Sequence, residues 1–253
     1  MKFDDLDTQM RIYENSTDFC VLPGIYIVAR LDGRNFTNLT KCKGNFEVPF
    51  DEKFRDLMVE TTKHLMNCGF KVNYGFTESD EISLLFDLDI ELFGRKTRKF
   101  NSILAGEASA KFSLLFNDIG VFDCRICQLP NTKTVIDYFR WRNEDAHRNA
   151  LNAYCYWILR KQGKGKKEAT SFINGKSVPE KNELLFSLGI NFNSLPNWQK
   201  RGIGIYWEKE LKTGYNPKDK TGVMAERNVL KIDYDLPMRD KYSDFIEQLL
   251  TED

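Results

Sequence analysis

Between residues 25 and 129 the chain alternates apolar runs in the order strand, helix, strand, strand, helix, strand, an order that leaves few ways to build a sheet. Strand one is Ile25 to Leu31, a β-branched and aromatic run. Helix one starts near Asp51, a good N-cap, and carries Phe54, Leu57, Met58, Thr61, Leu65 and Met66 at helical spacing before Gly69 stops it. Strand two, Phe70 to Phe76, and strand three, Ile82 to Phe86, flank the polar turn Thr77-Glu78-Ser79-Asp80-Glu81. Helix two runs from Thr97 to Phe116, and strand four from Val121 to Gln128, ended by Pro130. This is the split βαβ, ferredoxin-like (βαββαβ) pattern. It predicts an α+β fold in which strand three lies between strands one and two, antiparallel to strand one.

Residues 131–253 read differently: a long helix from Asp137 to Gln162, a lysine-rich helical stretch to Phe186, and a hairpin of Ile203–Leu211 and Val223–Asp233 around Thr213-Gly214-Tyr215-Asn216-Pro217. A short amphipathic helix from Arg239 to Leu250 closes the sequence. The expected organisation is a catalytic domain over 1–130 with a helical and hairpin extension over 131–253 packed on it.

That topology puts the exit of strand one beside the turn entering strand three. Asp32 follows strand one, and Asp80 with Glu81 open strand three. Converging carboxylates suit two-metal chemistry on a nucleoside triphosphate, with two Mg²⁺ ions roughly 3.5–4 Å apart. Asp32, Asp80 and the carbonyl of Gly33 are sufficient protein ligands for a cation that keeps its waters. The amides of Arg34, Asn35 and Phe36 after the glycine can line a phosphate. Arg95, Arg98 and Lys99 open helix two, where a cation cluster and a helix N-terminus together suit triphosphate oxygens; ordinary surface charge explains them equally well. His147, with Arg148, Asn149 and Asn152, fits either contact to nucleotide or RNA or a packed helix with a polar face.

Composition excludes little else. Lys+Arg 37 and Asp+Glu 37 cancel, so net charge names no partner. Cys20, Cys42, Cys68, Cys124, Cys127 and Cys155 have no second pair at zinc spacing. The opening Met1–Asp7 is acidic, unlike a secretory leader, and no apolar run nears the ~20 residues of a membrane span. A cytoplasmic, reduced protein without membrane contact is expected.

Arg30-Leu31-Asp32-Gly33-Arg34-Asn35-Phe36, Ser79-Asp80-Glu81, Arg95-Lys96-Thr97-Arg98-Lys99-Phe100, Lys181-Asn182-Glu183-Leu184-Leu185-Phe186 and Lys200-Arg201-Gly202, in that order, resemble the tRNA(His) guanylyltransferase family. The resemblance implies a polymerase-type palm that adds nucleotides 3′→5′ to the 5′ end of tRNA. It implies activation of the RNA 5′-monophosphate by ATP or GTP, then attack by the 3′-hydroxyl of an incoming GTP or other NTP. By position, Asp32, Gly33 and Asp80 would bind metal and Glu81 would support them. Arg34 to Phe36 and Ser79 would hold triphosphate, and Phe46 would sit near the activating base. Arg95, Arg98 and Lys99 would meet phosphates, and Lys181 and Asn182 are weaker candidates for nucleotide or RNA contact. Val48 stands where the family usually has lysine, so one phosphate contact is either absent or replaced by Lys41 or Lys43. His147 to Ala153 departs from the motif tied to histidine-tRNA selection, which points to the branch that repairs 5′-truncated tRNAs, commonly as tetramers. Two other readings fit the same strand order: a palm-type nucleotidyl cyclase, and a non-catalytic RNA-binding sheet.

Overall fold

The computed structural model describes residues 1–216 and 221–251. Its core is one antiparallel sheet of six strands in the order β4-β1-β3-β2-β5-β6: β1 Tyr26–Gly33, β2 Val72–Glu78, β3 Glu81–Phe86, β4 Phe122–Leu129, β5 Ile203–Asn216 and β6 Thr221–Asp233. The helices are α1 Phe3–Asn15, the short α2 Phe36–Asn38, α3 Glu52–Asn67, α4 Thr97–Phe116, α5 Thr132–Lys161, α6 Lys166–Ile173, α7 Val178–Ser187, α8 Trp198–Arg201 and α9 Asp240–Thr251. β3 lies between β1 and β2 and is antiparallel to both, as the strand order requires.

Side-chain alternation along the strands fills both faces. Ile27, Ala29 and Leu31 of β1 join Met58 and Leu65 of α3 and Phe100, Leu104 and Phe112 of α4 in one core. Val28 of β1, Leu85 of β3 and Tyr74 of β2 face the other way, onto Val135, Phe139 and Ala146 of α5 and Tyr242 and Ile246 of α9. The same alternation sends Arg30 and Asp32 to the α5 side. Their surroundings are therefore set by the second half of the chain.

Several elements depart from expectation. The hairpin is an extension of the sheet, because β5 pairs with β2, Thr77 lying opposite Ile203. Pro217 of its expected turn lies outside the described residues. α1 is an added helix that buries none of its residues. α5 starts five residues earlier than its apolar pattern indicates, because Asn131 and Thr134 form a reciprocal capping box. Asn131→Ala should therefore cost about 1 kcal/mol, read as a lower urea midpoint at unchanged slope.

Candidate active site

At the end of β1 three strands line up their acids. Asp32 lies opposite Glu81 on β3 and opposite Asp123 on β4. The next pairing outward, Glu78 with Glu81, carries the row onto β2. Partners in antiparallel register share a face, so one crosswise row reads Glu78, Glu81, Asp32, Asp123. Asp80 sits in the tight turn before β3, where its carbonyl accepts the Gly33 amide at 3.0 Å. Ser79, in the left-handed region at φ 51°, forms the rest of that turn, and its Oγ donates to Asp80 Oδ1 at 3.1 Å.

The charges in this row are not alike. Glu81 is held by Arg30 and by Arg142, whose guanidinium is buried and also donates to Asp145 at 3.2 Å. Asp32 and Asp80 make no such ion pair among the described residues. Burial, followed by the neighbouring carboxylates Glu81 and Asp123, raises the Asp32 pKa above its ordinary value. Burial and the proximity of Asp32 push Asp80 up to about 6. Glu78 is pushed up to about 8, chiefly by burial, with Arg142 opposing the shift. Each of these carboxyls sits where added positive charge is favourable.

Gly33 is a steric requirement, since a Cβ there would lie 2.6 Å from the Phe36 ring. That ring, packed 4.9 Å from both Phe112 and Phe122, closes the chain over the end of β1. The Arg34 amide is taken by the Val121 carbonyl at 2.8 Å, so it does not join the expected phosphate-binding amides. Asn35, at φ 61°, turns the chain into α2, and Phe36 and Thr37 open that helix, where the first amides have no intrahelical acceptor. Beside Ser79 a cleft of about 230 Å³ is lined by Phe46, Phe54, Trp157, Trp198 and Thr77 among others. Lys41 lines it too, its ammonium 5.2 Å from the Trp157 ring, and Lys161 donates to the Val48 carbonyl at 3.3 Å on the same rim. The Lys43 side chain lies outside the described set.

The expected cation cluster at the start of α4 is not part of this constellation. β3 carries the chain away from Asp80 before α4 begins, so Arg95, Arg98 and Lys99 lie at the opposite end of the strands. Arg95 is buried and donates to the carbonyls of Val21, Leu88, Ile90 and Ile25. Its guanidinium is a structural clamp with no free fork for phosphate. Arg98 is paired with Asp18, and Lys99 lies 5.9 Å from the Phe93 ring. Lys181 and Asn182 are half-buried on α7, which packs against α5. Asn182 Nδ2 is engaged by the Val178 carbonyl at 3.0 Å.

This architecture has relatives. The sequence model of the family described as tRNAHis guanylyltransferase matches residues 7–130, and that of the Thg1 C-terminal domain matches residues 133–246. A tRNA(His) guanylyltransferase of Schizosaccharomyces pombe is 31% identical over 210 residues, 79% of this chain and 80% of the relative. The chain belongs to the tRNA(His) guanylyltransferase family. A probable tRNA(His) guanylyltransferase of Mus musculus is likewise 31% identical, over 78% of this chain and 70% of its own. Among solved structures, a bacterial tRNA(His) guanylyltransferase-like protein in complex with ATP superposes with TM-score 0.76 at 27% identity, covering 97% of this chain and 99% of that one. The Saccharomyces cerevisiae enzyme superposes with TM-score 0.71 at 28% identity, over 85% and 94% of the two chains. A bacterial family protein has also been solved with GTP. Family membership makes this chain a nucleotidyltransferase.

Asp123, Arg30, Arg142 and Glu78 are the site residues that sequence reasoning leaves out. Counting register between strands four and one would have found Asp123. No local signal connects Arg142 to Glu81, 61 positions away.

Proposed function

We propose that this protein adds nucleotides 3′→5′ to the 5′ end of tRNA on a ferredoxin-like, palm-type sheet. The observation that carries the reading is the meeting of Asp32 and Asp80 at the end of β1, beside an aromatic cleft. In the first stage an oxygen of the RNA 5′-monophosphate attacks the α-phosphorus of ATP or GTP, and pyrophosphate leaves. In the second the 3′-hydroxyl of an incoming NTP attacks the activated 5′-phosphorus, the nucleoside monophosphate leaves, and the hydroxyl proton is lost.

The acids fit Mg²⁺. Among the described residues no three His, Cys, Asp or Glu side chains form a metal cage by themselves. Mg²⁺ needs no such cage, since one or two carboxylates hold it and substrate phosphates and water complete its shell. Asp32 and Asp80, with no ion pair among the described residues and both raised in pKa, would hold it with the Gly33 carbonyl. Bound there, Mg²⁺ would supply positive charge for the phosphates and make the attacking hydroxyl more acidic. The chain does the rest by positioning. Arg30 and Arg142 fix Glu81 as a support beside Asp32. Ser79 orients Asp80 and borders the cleft where triphosphate would lie, and Phe46 offers its ring to the activating base. A homo-oligomer, tetrameric by family resemblance, fits a chain whose α1 exposes Phe3, Leu6, Met10, Ile12 and Tyr13.

The test is incubation with 5′-monophosphorylated tRNAs, full-length and 5′-shortened, under varied nucleoside triphosphates. A labelled RNA should gain nucleotides at its 5′ end, and shortened tRNAs should be extended without a histidine anticodon. Release of cyclic nucleotide in the absence of RNA, with no growth of RNA, would reject the proposal in favour of a cyclase.

A further inference from the structure

A second polar cluster adjoins the carboxylate row on its β2 side. β5 opens at Ile203, opposite Thr77, so Arg201 and Gly202 sit beside the end of β2 that carries Glu78. A Cβ on Gly202 would lie 3.0 Å from the Thr77 carbonyl, which shows how closely the chain passes. On α5, Arg142 faces the carboxylates while the next residue, the fully buried Asn143, donates to the carbonyls of Arg201 at 2.9 Å and Pro237 at 3.3 Å. One turn further, His147 packs edge-on to Phe192, its ring centre 5.2 Å away. Lys200, 3% exposed, donates to the Asn193 carbonyl at 2.8 Å, which uses one of its three N–H bonds. Arg201 donates from one terminal nitrogen to the Leu236 carbonyl at 2.9 Å. Arg239 is exposed at the start of α9 and makes no side-chain bond among the described residues.

These groups share one environment. Lys200, Arg201 and Arg239 all act on His147, whose pKa burial and then their charge hold below the ordinary histidine value. Asp235 is the acid facing Lys200, and it is already held by Asn197. His147 Nδ1 and Arg201 Nε are buried without a hydrogen-bond partner among the described residues. Asn143 Oδ1 is equally without a partner among the described residues. Arg201 Nε and the remaining N–H groups of the buried Lys200 are donors whose burial costs stability unless an acceptor completes them.

We propose that Lys200, Arg201, Arg239 and His147 form a phosphate-binding subsite flanking the carboxylates, which anchors a phosphate group of the RNA substrate or of a nucleotide. This deepens the nucleotidyltransferase reading above, but its test needs no turnover. Affinities of the full chain are measured for three probes: 5′-monophosphorylated tRNA, the same tRNA with a 5′-hydroxyl, and GTP or ATP alone, each RNA at two or more salt concentrations. Arg239→Gln removes an exposed charge that makes no side-chain bond among the described residues, so the fold should survive it, and Arg239→Glu reverses that charge. Arg239→Gln should weaken one probe class about 3–10-fold and, for RNA, reduce the salt slope by about 1. Arg239→Glu should weaken it further. A loss confined to the 5′-phosphorylated tRNA assigns the subsite to the terminal phosphate, an equal loss for both tRNAs to the RNA backbone, and a loss for the free nucleotides to the triphosphate. If both variants bind every probe within about two-fold of wild type, the subsite does not exist. A wild-type protein that shows Arg239-dependent binding but never extends RNA would sink the activity and leave the subsite standing.

Discussion

Asp80→Asn should abolish nucleotide addition, by at least about 10²–10³-fold, while making the protein more resistant to heat at pH 7.5. The two effects have one cause. The Asp80 carboxyl is pushed up to about 6 because it is buried and faces Asp32. Its folded pKa therefore exceeds its unfolded one. The favourable contribution of the protonated form is fully present below the unfolded pKa and is lost as pH rises through about 6. At neutral pH the ionised pair is a liability of order 1–3 kcal/mol. An asparagine keeps the shape without the charge, so the variant should melt higher than wild type at pH 7.5, with the gain vanishing near pH 4. Mg²⁺ should raise the melting temperature of the wild type and leave Asp80→Asn nearly unmoved, because the ion relieves a repulsion the variant no longer has. Thermal melts across pH, with Mg²⁺ and with EDTA, read this directly. A variant that melts below wild type at pH 7.5, or that keeps full activity, would remove Asp80 from the proposed metal-binding pair.

Much of that site could be read from sequence because its logic is local. Asp32 follows a strand whose pattern is plain, Asp80 lies in a hairpin turn, and the split topology alone brings the two ends together. α4 runs from Thr97 to Phe116, ended by Asn117 in the left-handed conformation, as its periodicity indicates. What escaped depended on long-range partners. Glu81 reads as a third free acid until α5 supplies Arg142 from 61 positions away. The start of α5 is set by the cap at Asn131, which apolar spacing does not register. The hairpin's place in the sheet depends on the free edge of β2, which no pattern within residues 203–233 reveals.

Arg95 is the sharpest case, because a basic run at a helix start reads as surface charge or a phosphate clamp, and burial decides against both. Arg95→Met should cost several kcal/mol and deprive the protein of a stable fold near body temperature. The guanidinium ties the carbonyls of Val21 and Ile25, in the segment leading into β1, to those of Leu88 and Ile90 in the loop after β3. Methionine fills the volume but leaves these acceptors unmet, at about 1–3 kcal/mol for each that water cannot reach. Even with partial relaxation the sum is comparable to the ~5–15 kcal/mol stability of an ordinary domain. Arg95→Lys keeps a charge that can meet some of the carbonyls and should fall between. Arg98→Ala removes an exposed partner of Asp18, which retains Lys96 at 2.5 Å, and should leave the urea midpoint close to that of the wild type. Urea midpoints and soluble yield of the three variants therefore separate a clamp from a ligand-binding residue. Were Arg95→Met to melt like wild type yet lose affinity for nucleoside triphosphate, its guanidinium would have to leave these carbonyls for phosphate, and the segment before β1 would need another anchor.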